Sequence, residues 1–149
     1  MTPQQEPGFH GEFVVRALRF DENPAGASRT VQLWEVMQPL TFVSVNWGPL
    51  TVPAGMVTDF GSVPRMTKAI VDDDDPRFLR GFLIHDFLYW RAGNLGDGRL
   101  LARSEADDVL CECARSDGAP AFKIFVVRAA VRIGGAAAWA KGRVAALIA

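Results

Sequence analysis

The stretch "VDDDDPRFLRGFLIHDFLYWRAG", residues 71–93, decides how this chain is read. Its aspartates precede Pro76, and proline suits a first helical turn because the N–H it lacks would have no partner there. Carboxylates at that end complement the exposed N–H groups and the helix dipole. Phe78, Leu79, Phe82 and Leu83 then recur at helical spacing, and Gly93 supplies a stop. A helix is expected from Pro76 to just before Gly93. Inside it stands His85, one of only two histidines in the chain, followed at once by Asp86. A core helix is better served there by leucine.

Upstream of this helix the pattern favours strands. "GEFVVRALRF" alternates loosely, and "DENPAGASR" is a loop of turn-forming residues. "TVQLWEVMQPLTFVSV" is rich in Val, Trp, Phe and Thr, with a break at Pro39. "NWGPL" reads as a turn, and "TVPAGMVTDF" as a short hairpin around Pro53, Ala54 and Gly55.

Downstream, helices are expected. "NLGDGR" is a loop with a mobile tip, and "ARSEADDVLCECARSDGAP" is a second helix with Ser104 as N-cap and Asp107 at the third helical position. Pro120 opens a third helix through "AFKIFVVRAAVRIGGAAAWAKGRVAALIA". The expected class is α+β: N-terminal strands and hairpins followed by about three helices, the first two an antiparallel pair. At 149 residues the chain is taken as one domain, with a flexible lead-in over 1–8, mainly β over 9–60 and mainly α over 76–149.

Composition removes several function classes. Sixteen Lys and Arg against seventeen Asp and Glu leave a net charge of −1, so no general attraction to nucleic acid or an anionic membrane follows. The apolar stretch from Phe125 is interrupted by Arg128, Arg132, Lys141 and Arg143, far short of the roughly 20 residues of a transmembrane helix. The N-terminus shows neither the basic nor the apolar region of a signal peptide. Cys111 and Cys113, two apart on a helix, point to different sides; two reduced, buried thiols suit a reducing cytoplasm, or assembly there before release.

Three segments hold polar residues that composition leaves unexplained: Thr58, Asp59, Ser62 and Arg65 in "TDFGSVPR"; His85, Asp86 and Tyr89; and Arg103, Asp107 and Asp108 in "RSEADD". His85 and Tyr89, four apart, share a helix face, with Asp86 about 100° round. In a helix hairpin Asp107 can reach His85, fix its tautomer and leave the other ring nitrogen as a general base. Asp86 and Asp59 are candidates for a hard cation. Calcium is preferred over zinc, which needs about three strong ligands, and the other imidazole, His10, is read as part of a flexible N-terminal segment. Taken singly, each residue has a plainer reading: His85–Asp86 as a structural hydrogen-bonded pair, Asp107 as a helix-terminal charge, Asp59 as a turn residue.

"VPAGMVTDFGSVPR", "LIHDFLYW", "RSEADDVL" and "VRAAVRIGGAAAW" together resemble a phage and prophage family known as domain of unknown function 1353. The resemblance implies a phage or prophage origin and leaves activity open. More locally, "HDFLY" is similar to the "HD-x-x-Y" helix of secreted phospholipases A-two. That likeness implies His85 as general base, Asp86 as a calcium ligand and Asp107 as the residue orienting His85. The bracing disulfides and the Gly-rich calcium loop of those enzymes are absent from the sequence. The expected function is a virion-associated protein of the tail or tail tip, with a structural or vestigial His–Asp site. Its partners are other virion proteins or the host envelope, and it is made in the host cytoplasm. The alternative is a small metal-dependent hydrolase acting on envelope esters or amides.

Overall fold

The computed structural model describes residues 5–24, 32–59 and 75–148, with side chains as far as Gly142. Strands come first: β1 (Gly8–His10), β2 (Val15–Ala17), β3 (Trp34–Val36), β4 (Leu40–Ser44), β5 (Gly48–Val52) and β6 (Val57–Thr58). Helices follow: α1 (Leu79–Trp90), α2 (Arg103–Ser116), α3 (Ala121–Gly134) and α4 (Ala136–Ile148). The α+β class with strands before helices is the one the sequence implies.

The strands form two antiparallel sheets, ordered β1-β4-β5 and β2-β3-β6. In β4 and β5 alternate residues face the helices: Leu40 pairs with Val52 and Phe42 with Leu50, all buried. On the outer face Thr41 and Thr51 join their hydroxyls at 2.8 Å. The break at Pro39 stands. The turn around Pro53 to Gly55 does not close a hairpin: β5 pairs with β4 and β6 with β3, so it carries the chain from one sheet to the other. The Gly55 N–H donates to the Val36 carbonyl at 2.7 Å, which sends the chain towards β3. Strand pairing begins at Gly8, and His10, in β1, has its Nε2 2.6 Å from the Glu6 carbonyl oxygen.

Helix α1 is the hub. Eight of its twelve residues are buried, because the first sheet, α2 and α4 all pack against it. Leu83, Ile84 and Leu88 meet the sheet residues Leu40, Phe42, Leu50 and Val52, whereas Phe78 and Phe82 join Leu110, Ile124 and Val127 in a second cluster. Such all-round burial explains the lack of a polar stripe. Antiparallel α2 comes close at Gly81, where a Cβ would stand 3.1 Å from the Cys113 Cβ. The helix begins at Leu79 rather than at Pro76, after a turn that Asp75 holds: its carbonyl accepts from the Phe78 and Leu79 N–H groups and its carboxylate from the Arg77 N–H.

Three local expectations change. The N-cap of α2 is Ala102, not Ser104: Glu105 at the third position accepts from the Ala102 N–H at 3.0 Å, which moves Asp107 into the helix interior. The last stretch is two helices rather than one, making four, because Gly135 separates α3 from α4. The loop after α1 is tied down at its tip. Asn94 and Leu100 bridge across it, and Arg99 grips Asp97 and the Trp47 and Pro49 carbonyls of the β4–β5 hairpin. Gly93 makes this possible, with a φ of 76° and its Cα so close to Leu101 that a Cβ would lie 1.9 Å from the Leu101 oxygen.

Candidate active site

The α1–α2 hairpin sets His85 and Tyr89, one turn apart, opposite Asp107. His85 Nε2 lies 2.8 Å from Asp107 Oδ1, and the Tyr89 hydroxyl donates to the same oxygen at 2.6 Å. The two rings lie 4.1 Å apart between centroids, as residues on one helix face should. Asp107 is completely buried and His85 is 7% exposed, so this is an interior polar network and not a surface pair.

On its other side Asp107 Oδ2 faces Arg132 Nε of α3 at 3.3 Å, an ion pair without hydrogen-bond alignment. Arg103 joins α2 to the end of α3, donating to the Val131 and Arg132 carbonyls at 3.4 and 3.1 Å. Those carbonyls are at a helix C-terminus, where a cation also complements the dipole. Burial pushes the Tyr89 phenol well above its usual range; Asp107 adds to this and Arg103 partly offsets it. Trp139 of α4 packs edge-on against the Tyr89 ring at 5.1 Å.

These contacts determine where the imidazole proton sits. Asp107 accepts from Tyr89 and faces a guanidinium, so its Oδ1 acts as an acceptor towards His85 as well. Nε2 then carries the ring proton and Nδ1 keeps its lone pair. Nδ1 has no hydrogen-bond partner among the described residues, and His85 lines a cavity of about 930 Å³. Most of that cavity's wall is apolar, from Leu33, Pro53, Met56, Val57, Phe82, Trp90 and Val131. The polar wall residues include Thr58, Asp59, Asp86 and Lys141.

The profile of the family described as "Protein of unknown function (DUF1353)" matches residues 34–131, more than half of the chain. The chain belongs to that family. No curated protein and no solved structure matches it. The span shared with DUF1353 takes in Thr58, Asp59, His85, Asp86, Tyr89, Arg103 and Asp107, and stops one residue before Arg132.

In this DUF1353 member the residues singled out from sequence have different fates. His85, Tyr89, Asp107 and Arg103 converge. Asp86 and Asp59 line the same cavity, and the Thr58 hydroxyl donates to Asp86 Oδ2 at 2.5 Å. Among the described residues no group of three or more His, Cys, Asp or Glu side chains is placed to hold a metal. Asp108 turns away to pair with Arg128 at 2.8 Å on the outer side of α2. Ser62 and Arg65 lie outside the described residues. Both cysteines are free and buried, with thiol pKa values raised by burial. No described helix is long and apolar enough to cross a membrane. Arg132 was not anticipated. Its signal in the sequence is the second of two cations in "VVRAAVRIGG", four residues after Arg128 on a helix that is otherwise apolar.

Proposed function

We propose that this DUF1353 protein is a small hydrolase in which His85 is the general base, cleaving an ester or amide whose substituent is apolar. One observation carries the reading: Nε2 of His85 is committed to a buried carboxylate, Nδ1 has no hydrogen-bond partner among the described residues, and the residue lines a largely apolar cavity. A histidine kept for packing alone is more economically bonded at both nitrogens. The pairing of His85 with Asp107 also fits the roles implied by the local similarity to secreted phospholipases A-two.

The step follows from the tautomer. His85 Nδ1 takes a proton from water as the water oxygen bonds to the carbonyl carbon, and Asp107 stabilises the imidazolium. The tetrahedral intermediate then collapses, and the same proton passes to the departing alkoxide or amine. Tyr89 and Arg132 hold Asp107 in place, and Lys141 on the cavity wall offers positive charge to the developing oxyanion. Two carboxylates, Asp59 and Asp86, would hold a calcium ion if one binds, and it would supply charge for the same oxygen. The described residues give it only these two side-chain ligands, so no step depends on it.

A phage source and an envelope target belong to the same proposal. The rival role is a tail or tail-tip component, with the network bracing α1 against α2; the complete burial of Asp107 favours it. Turnover of p-nitrophenyl esters from acetate to laurate, with calcium and with chelator, separates the two. Turnover by the wild type, lost at least about 1,000-fold in His85→Ala with its thermal midpoint kept, supports the hydrolase. Equal rates in the two proteins, or no turnover of any ester or of the corresponding anilides, would sink it.

A further inference from the structure

Helix α3 is apolar on two sides, and only one is covered. Ile124, Val127, Ala130 and Val131 face the interior. At about 100° per residue, Phe122, Phe125, Ala129 and Ile133 form a second stripe on the opposite side. Along it Phe122 is 63% exposed, Phe125 73% and Ile133 74%. A helix apolar all round belongs in a core or against something else.

Charge says what that something is. At the same spacing Lys123 falls to one side of the stripe and Arg128 to the other, whereas Arg132, on the Arg128 side, is turned in to Asp107. Residues 120–149 contain five cations, α4 adding Lys141 and Arg143, and no Asp or Glu, in a chain of net charge −1. Beside Phe125 a groove of about 220 Å³ is lined by Arg115, Arg128, Ala119, Ala121 and Ile124. Asp108 shares Arg128, and the groove itself has no carboxylate in its wall.

From this juxtaposition we infer that the outer face of α3 docks on an anionic lipid bilayer, with Phe122, Phe125 and Ile133 entering the acyl boundary and a lipid phosphate between Arg115 and Arg128. An apolar stripe flanked by cations is the pattern of a helix lying in the membrane interface. Gly134, next to Ile133, lines the His85 cavity, so the docked face and the cavity share the end of α3. The inference goes beyond the hydrolase reading and stands without it, because its test is binding.

The full chain is floated with vesicles of equimolar phosphatidylglycerol and phosphatidylcholine, and with phosphatidylcholine alone. The expected result is partition into the anionic vesicles, at least about tenfold weaker on neutral ones. Phe122→Ser and Phe125→Ser each reduce it roughly tenfold, and Arg115→Ala about fivefold. All three sites are exposed, and unchanged thermal midpoints confirm folding. Absence of anionic-vesicle binding overturns the inference. So does binding that phosphate at 10 mM abolishes while the Phe variants leave it intact, which would mark a free-phosphate site. Self-association that Phe125→Ser disperses, without vesicle binding, overturns it in favour of a second copy.

Discussion

Tyr89→Phe removes one oxygen from the centre of the molecule and nothing else. The ring keeps its contacts with His85 and Trp139, so no cavity opens. The lost bond is a 2.6 Å donation to a completely buried carboxylate. Hydrogen bonds to charged groups contribute about 1.5–3 kcal/mol. Asp107 Oδ1 keeps His85 as donor and Oδ2 keeps Arg132 nearby, so neither oxygen is orphaned and the lower half of that range applies. For a chain of this size about 1.5–2 kcal/mol lowers the thermal midpoint by roughly 3–8 °C. Urea denaturation at pH 7 measures it directly, and a cycle with Asp107→Asn isolates the pair. The coupling should be about 1 kcal/mol or more. In the Asn variant an amide oxygen kept towards His85 and Tyr89 turns its NH₂ at Arg132, so that single change should cost more than Tyr89→Phe. A Tyr89→Phe loss below about 0.5 kcal/mol, with no coupling to position 107, would mean the hydroxyl is solvated and the network is not the brace described.

Three further outcomes follow from the same contacts. Gly142→Ala should cost more than about 2 kcal/mol, because its Cβ would lie 1.9 Å from the Tyr89 oxygen; a midpoint unchanged in calorimetry would refute the α1–α4 contact. Glu112→Ala should cost about 2–3 kcal/mol in urea denaturation, since Glu112 accepts from the buried Ser44 hydroxyl and the Val45 N–H, each at 2.8 Å; full stability would show water replacing it. The folded-state pKa of Tyr89 is raised, so its contribution is fully present below the unfolded value of about 10 and is lost as pH rises beyond that. As the chain has a single tyrosine, absorbance at about 295 nm should report its ionisation together with unfolding; a titration near pH 10 in a folded protein would count against its burial.

How much of this was legible in the sequence depends on the range of the interaction. The pairing of His85 with Tyr89 is arithmetic on one helix, and its convergence with Asp107 follows once two helices are joined as a hairpin. The start of α2 was misread because Ser104 and Ala102 differ in capping chemistry, yet Glu105 reaches back to the Ala102 N–H and decides the matter. Pro53 to Gly55 carries the same turn signal whether the chain folds back or crosses to another sheet, and only the pairing of β6 with β3 distinguishes them. Arg132 lay hidden for a different reason: its partner is on another helix, and no local period connects residues 107 and 132.

The glycines of the last two helices link these observations. Gly134 and Gly135 mark a break in the sequence, but what they are for depends on Tyr89. A Cβ at Gly135 would come within 2.6 Å of the Tyr89 hydroxyl oxygen, and one at Gly142 within 1.9 Å of its main-chain oxygen. Tyr89 therefore touches Asp107 with its hydroxyl and sets the approach of α4 with both hydroxyl and backbone. Arg132, one turn before that elbow, faces the other oxygen of Asp107. The position of the α3–α4 elbow and the geometry of the His85–Asp107 pair are thus set by shared atoms. A force that displaces α4 must strain the carboxylate that orients His85. An α3 seated on a bilayer would act on the same elbow, and through it on the cavity wall formed by Gly134, Gly135 and Ala138.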